Sequence, residues 1–332
     1  MVRSRPDLKR RLIAAAVGLL AAGVVALFGF ASPSVGSAVD ATPVAHSDAR
    51  DAANATARLP QLSLPPERPS AQAPTQAPTQ APTQPAVRLA AVGDFGMAND
   101  GAYAIARAMT TAAATQKFDA LILLGDNVYP VGDPSLLQKA IFEPLRDLLN
   151  AGSRLLPVLG NHDVVAGHGD ALAAGLGMPA RWYAQEVGPV LFVGLDSTQF
   201  DEPAQRTWLE QTLAASTSPW KIVAMHHPPF SAGMHGSHEG AQQAFTPLFE
   251  RLGVQLVLSG HDHDYQRSHP IRGVTYLVSG GGSKVRPTGT EEFTAASAST
   301  LHFLDIGVWA DRLHVRAVDH TGHVFDEVTL TR

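Results

Sequence analysis

Apolar residues along this chain come in short runs that stop on small or polar residues. Runs at 88–92, 120–124, 155–159, 190–195, 221–225 and 254–258 predict strands, and 274–278, 302–308, 312–318 and 323–330 continue the series. Between several of them the spacing turns helical. Ile105, Met109 and Ala112 fit one helix face; Phe245, Leu248, Phe249 and Leu252 fit another, with Gly253 as a stop. Pro144 and Pro247 argue against unbroken helices at those points. Strands alternate with helices early and follow one another late. That predicts a mixed α/β fold, antiparallel towards its end.

The pattern upstream of residue 87 is different. Arg3, Arg5, Lys9, Arg10 and Arg11 precede an uncharged apolar run at 12–30, and Ser34, Gly36, Ser37 and Ala38 follow. A basic segment, an apolar segment and a small-residue zone form an export signal, so 1–38 is expected to be a signal peptide or a retained signal anchor, with the rest exported. Residues 39–86 are rich in Ala, Pro, Thr and Gln, with Gln-Ala-Pro-Thr three times in succession at 72–83. Such a tract has no apolar surface from which to build a core and is expected to be a linker. The remaining residues, 87–332, suffice for one well-buried domain.

Composition then narrows the chemistry. The chain has 332 residues and no cysteine, which excludes disulfides and thiolate metal sites. A net charge of −5 gives no global attraction for nucleic acid. The polar residues at the strand ends are the informative ones. Val92 runs into Gly93-Asp94-Phe95-Gly96, Leu124 into Gly125-Asp126-Asn127-Val128-Tyr129, and Leu159 into Gly160-Asn161-His162-Asp163. Met225 runs into His226-His227-Pro228-Pro229, and Leu258 into Ser259-Gly260-His261-Asp262-His263. Carboxylate, imidazole, amide and phenol groups at five strand tips make a donor set for Fe, Zn, Mn or Mg.

These five motifs, in this order, resemble the signature of the calcineurin-like metallophosphoesterases, and Tyr129 resembles the purple acid phosphatase branch. The resemblance covers essentially all of 87–332 and implies a four-layer α-β-β-α sandwich with mixed sheets. It also implies two metal ions. Asp94, Asp126, Tyr129 and His263 would hold ferric iron; Asp126, Asn161, His226 and His261 would hold a divalent Fe, Zn or Mn, with Asp126 bridging. The implied activity is hydrolysis of small phosphate monoesters by metal-bound hydroxide. His162 would protonate the leaving group, Asp163 would orient it, and His235 would be a second histidine of the substrate site. Alternatives on the same residues are a phosphodiesterase, a nucleotide or phospholipid head-group hydrolase, or a non-catalytic phosphate- or metal-binding protein.

Other polar residues carry plainer expectations. His227 is expected to be structural, His168 and His238 to be solvated, and Asp196 to cap or support a strand end. Residues 280–282 are expected to form a tight turn rather than a phosphate cradle. Lys284 and Arg286 open a polar stretch to about Thr300 that is expected either to flank the pocket or to be a surface loop.

Overall fold

The computed structural model describes residues 84–332. The 1–38 segment and nearly all of the 39–86 linker lie outside them. Among the described residues no helix is long and apolar enough to cross a membrane.

The strands are β1 (Val87–Val92), β2 (Ala120–Leu124), β3 (Arg154–Val158), β4 (Tyr183–Val187), β5 (Val190–Gly194), β6 (Trp220–Ala224) and β7 (Leu256–Ser259). They continue with β8 (Tyr265–Ser268), β9 (Thr275–Ser279), β10 (Thr294–Ala298), β11 (His302–Val308), β12 (Arg312–Asp319) and β13 (Val324–Thr331). The α-helices are α1 (Asp100–Ala113), α2 (Arg146–Asn150), α3 (Asn161–Val164), α4 (Gly169–Gly175), α5 (Pro203–Ala215) and α6 (Glu239–Arg251).

Two mixed sheets result. The first has six strands in the order β13-β12-β11-β1-β2-β3, parallel across β1, β2 and β3 and antiparallel from β1 out to β13. The second has seven in the order β10-β8-β9-β7-β6-β5-β4. Strand parity shows how the layers stack. Phe192, Ile222 and Leu256 join one core with Leu89, Leu304 and the Ile105–Met109 face of α1. Their neighbours Val193, Val223 and Val257 join a separate core with Leu209 and Leu213 of α5 and Phe245 and Phe249 of α6. Alternate residues of one strand therefore serve opposite faces. Helix, sheet, sheet, helix is the four-layer order expected.

The differences from expectation have simple causes. Strand β9 was expected in the antiparallel run, yet it lies parallel to β7 and antiparallel only to β8. Strands β4, β8 and β10 were not predicted; β4 and β10 are the two edges of the second sheet. An edge strand needs little apolar surface, and every residue of β10 is half-buried. Helix α6 passes through Pro247 and ends at Arg251, with Leu252 as its cap and Gly253 at φ +69° after it. At Pro144 the backbone does break, between a short π-helical turn at Gln138–Phe142 and α2.

Candidate metal centre

The ends of β1, β2 and β3 in one sheet and of β6 and β7 in the other converge. The Asp94 N–H donates to the Gly125 carbonyl (3.1 Å), and the Gly260 N–H to the His226 carbonyl (3.0 Å). The His261 N–H crosses between sheets to Asp94 Oδ2 at 2.8 Å. Asp94, Asp126 and His261 have φ of 56°, 53° and 73°, left-handed backbone that costs a non-glycine residue about 1–3 kcal/mol. A fold retains three such residues at one point when packing around them overdetermines the geometry. Gly160 shows how tight that packing is: a Cβ there would meet Asp126 Oδ1 at 2.2 Å. At Gly280 a Cβ would meet the Asp262 carbonyl at 2.1 Å and Asp94 Oδ2 at 2.7 Å, so this glycine lets a strand end close on the centre.

Seven side chains bring donor atoms together in two groups that share one residue. Tyr129 Oη lies 2.8 Å from Asp126 Oδ2, 3.0 Å from Asp94 Oδ1 and 3.2 Å from His263 Nε2. His263 Nε2 is 3.3 Å from Asp94 Oδ1. On the other side, His226 Nε2 lies 3.4 Å from Asp126 Oδ1, 3.1 Å from Asn161 Oδ1 and 3.3 Å from His261 Nδ1. Asp126 thus presents Oδ2 to one group and Oδ1 to the other.

The electrostatics of this arrangement suit a bound cation. Burial pushes the Asp94 carboxyl up to about 8, with the Asp126 charge adding to it and His226 opposing. Burial and the same two carboxylates hold the Tyr129 phenol protonated. Burial alone would lower His226, but Asp126 and Asp94 more than reverse this and raise it. Its Nδ1 donates to the Leu124 carbonyl at 2.8 Å, which aims Nε2 at the centre, the orientation that a metal-ligating imidazole needs. A positive ion among these atoms would let Asp94 and Tyr129 ionise and would replace the proton on His226. The donor set therefore fits metal.

The remaining predicted residues divide. His162 lies at the mouth, half-exposed, its ring 4.5 Å from that of Tyr129 and its Nε2 4.0 Å from Asp126 Oδ2. Its Nδ1 donates to the Pro130 carbonyl at 2.6 Å. That bond, and not one from Asp163, orients the ring, which corrects the role expected for Asp163. Asp163 is fully buried and accepts from the backbone N–H of Asn127, Val128 and Gly160 and from Asn127 Nδ2, at 2.8–3.1 Å. It ties the β2 and β3 loops together; burial and then Asp126 push it up to about 6 despite those donors. His235 is exposed, stacked at 4.4 Å on His261, with its Nε2 accepting from Arg286 Nη1 at 2.7 Å.

One support, Asp262, escaped sequence reasoning, and a second, Arg286, was left between two readings. Asp262, between the two histidines of its motif, accepts from the His235 N–H at 2.9 Å and from Ser231 Oγ at 2.5 Å, and so holds the His235 loop. Its place inside the motif was the available signal. Arg286 brings the start of the 284–300 stretch beside the centre: its N–H donates to the His263 carbonyl at 2.8 Å, and Ser299 Oγ donates to the Arg286 carbonyl. His227 is buried beside His261, 4.6 Å between rings, and shares Ser197 Oγ through both its N–H and Nδ1. Burial and then His226 push it down to about 2, so it stays neutral. His238, expected to be solvated, instead caps α6 by accepting from the Ala241 N–H. Asp196 caps the turn at Ser197–Gln199 and pairs with Arg181 at 3.1 Å.

With five strand-end motifs closing on one cluster of acidic and imidazole donors, comparison with known proteins is decisive. A family model described as calcineurin-like phosphoesterase matches residues 87–265. The chain belongs to this family. Human (Homo sapiens) tartrate-resistant acid phosphatase type 5 is 30% identical over 246 residues, which cover 61% of this chain and 75% of the relative. Among solved structures, a purple acid phosphatase from yellow lupin (Lupinus luteus) superposes with a TM-score of 0.65 at 16% identity, over 74% of this chain and 54% of that one. A Plasmodium protein described as the anchor in the inner membrane complex gives 0.66 at 17% identity, over 74% of this chain and 88% of that one. At those identities the structural matches establish the shared fold. This family member is an acid phosphatase-like metallophosphoesterase, a metal-dependent phosphohydrolase.

Proposed function

We propose that the protein is a two-metal hydrolase of phosphate monoesters, with Asp94, Asp126, Tyr129 and His263 holding one ion and Asp126, Asn161, His226 and His261 the other. The observation that carries this reading is the division of the Asp126 carboxylate, Oδ2 to one donor group and Oδ1 to the other. Tyr129 supports ferric iron in the first position, because a phenolate stabilises a trivalent ion better than a neutral ligand does. Two ions there would polarise the phosphoryl oxygens and acidify water for in-line attack.

The side chains do the rest. Water oxygen bonds to phosphorus as the ester oxygen leaves, and that oxygen needs a proton. His162 supplies it: with Nδ1–H committed to Pro130, Nε2 is the nitrogen that gives and regains the mobile proton. His235, held by Arg286 and by Asp262, forms the opposite wall of the mouth and steadies the departing group. The Arg3–Phe30 pattern supports action outside the cytoplasm.

The test is metal analysis of the purified full-length protein, with its visible spectrum and its rates on p-nitrophenyl phosphate and bis-p-nitrophenyl phosphate. Two metals per chain, a purple charge-transfer band and a faster monoester rate are expected. Metal-free protein that still hydrolyses the monoester would overturn the reading, and a faster diester rate would move it to phosphodiesters.

A further inference from the structure

Large apolar side chains on the surface of the described residues are few, and most share a location. Six are well exposed: Val131, Leu136, Val165, Met234, Val285 and Val324. All but Val324 sit on the loops that carry the centre. Val131 and Leu136 follow Tyr129, and Val165 follows Asn161 and His162. These two loops touch: a Cβ on Gly132 would meet the Asp163 carbonyl at 2.5 Å, and His168 Nδ1 lies 3.2 Å from the Val131 carbonyl. Met234 precedes His235 and Val285 precedes Arg286, and those two polar neighbours are 2.7 Å apart. Val131 and Val165 therefore flank the centre on the Tyr129 side, while Met234 and Val285 flank it on the His261 and His263 side. Met234 and Val165 are the barest, at 66% and 67% exposure. Scattered surface hydrophobics need no explanation, but a set gathered around one catalytic mouth does.

The charge beside this collar tells what fits it. Lys284 and Arg286 bracket Val285, and the Arg286 guanidinium stands 2.7 Å from the His235 ring while its backbone N–H reaches the His263 carbonyl, so positive charge lies beside the centre. An anionic head is drawn inward, while beside the polar groups of the mouth the rim offers the apolar side chains of Val131, Val165 and Val285 and the adaptable thioether of Met234. We propose that the collar binds the apolar body of an amphiphilic phosphomonoester, an alkyl or acyl-chain phosphate taken as the free molecule, whose phosphate lies at the centre. This specificity rests on the phosphomonoesterase reading above and narrows it.

The experiment compares kcat/KM of the full-length, metal-loaded protein on butyl, hexyl and octyl phosphate, each below its micelle-forming concentration. The expected rise from butyl to octyl is on the order of tenfold, the value for four methylene groups each less than half buried. The double variant Met234→Ser/Val285→Ser is expected to flatten that series to within about twofold, and Val324→Ser, at the start of β13, to keep it. A series that is flat in the parent protein overturns the collar but leaves the phosphatase reading intact. A slope that survives the double variant overturns the assignment of these side chains. Butyl phosphate left unhydrolysed by metal-loaded protein would sink the underlying phosphatase reading instead.

Discussion

The two sheets contribute different chemistry to the centre. Loops after β1, β2 and β3 bring oxygen: Asp94, Asp126, Tyr129 and Asn161. Loops after β6 and β7 bring nitrogen: His226, His261 and His263. Left-handed backbone occurs in both halves, at Asp94 and Asp126 and at His261, but in the oxygen half a buried carboxylate, Asp163, ties the two later loops together through backbone N–H groups. The nitrogen half leans on Asp262, Ser231 and Arg286, and it carries most of the polar mouth. Only the oxygen half supplies a residue that faces both donor groups. On the two-metal reading proposed above, the first half would define where the ions sit, while the second would complete one position at a time and shape access.

Loss of Asp126 against loss of a histidine is the sharpest way to break that division. Asp126→Asn is expected to empty both positions and cut p-nitrophenyl phosphate hydrolysis by about 10³-fold or more, since in the proposed centre both ions would share its charge. His261→Ala is expected to lose one metal and keep the other, read as metals per chain after dialysis. Equal metal loss in the two variants would contradict the asymmetry. Next in size is His162→Gln, expected to lower kcat by about 10²-fold for alkyl phosphates and much less for p-nitrophenyl phosphate, whose leaving group needs little protonation. Metal content should stay unchanged, because the role proposed for His162 is proton donation beside the oxygen half and not metal binding. An equal loss on both substrates would remove that role.

Asp163 distinguishes support from catalysis. Asp163→Asn keeps the shape but loses the charge that three backbone N–H groups meet, a cost of about 1.5–3 kcal/mol in unfolding free energy. Refolded and metal-loaded, the variant should retain most of its kcat. A large fall in kcat with unchanged denaturant midpoint would return Asp163 to the service of His162.

Asp163 also shows where sequence reading stopped. Central strands were legible because burial on both faces turns them into unbroken apolar runs, and β1, β2, β6 and β7 each ended in a chemically distinctive motif. The donor partition followed from the resemblance carried by those motifs; the structure brings the seven side chains it names within reach of one another. Adjacency in sequence misled at Asp163: α3 begins at Asn161, and successive residues on a helical turn diverge by about 100°, so Asp163 turns inward as His162 turns out. The roles of Arg286 and Asp262 depend on loops from separate strands meeting, and no local pattern encodes such a meeting. Edge strands β4 and β10 carry too few apolar residues to stand out from loops.

The smallest effect tests the two halves by pH in the metal-free protein. Asp94 is raised from 3.8 to about 8 and His226 is also raised, so each contributes stability that is present in acid and lost as pH climbs through its folded value. His263, lowered by burial and then by Arg286 to about 4, and His227, lowered to about 2, act in the opposite sense: their contribution is present above 6.5 and lost in acid. Between pH about 6.5 and about 8 the lowered histidines are neutral in both states, which leaves the oxygen half and its partner His226 exposed to view. Metal-free Tm should therefore fall across that window, by about 2–4 °C for each kcal/mol of ionisation cost. Bound metal should abolish the fall, because an ion stabilises the ionised carboxylate that burial opposes. Asp94→Asn should flatten the metal-free profile as well, since an amide has no proton to lose; a slope that persists in that variant would transfer the effect to His226, and so to the nitrogen half.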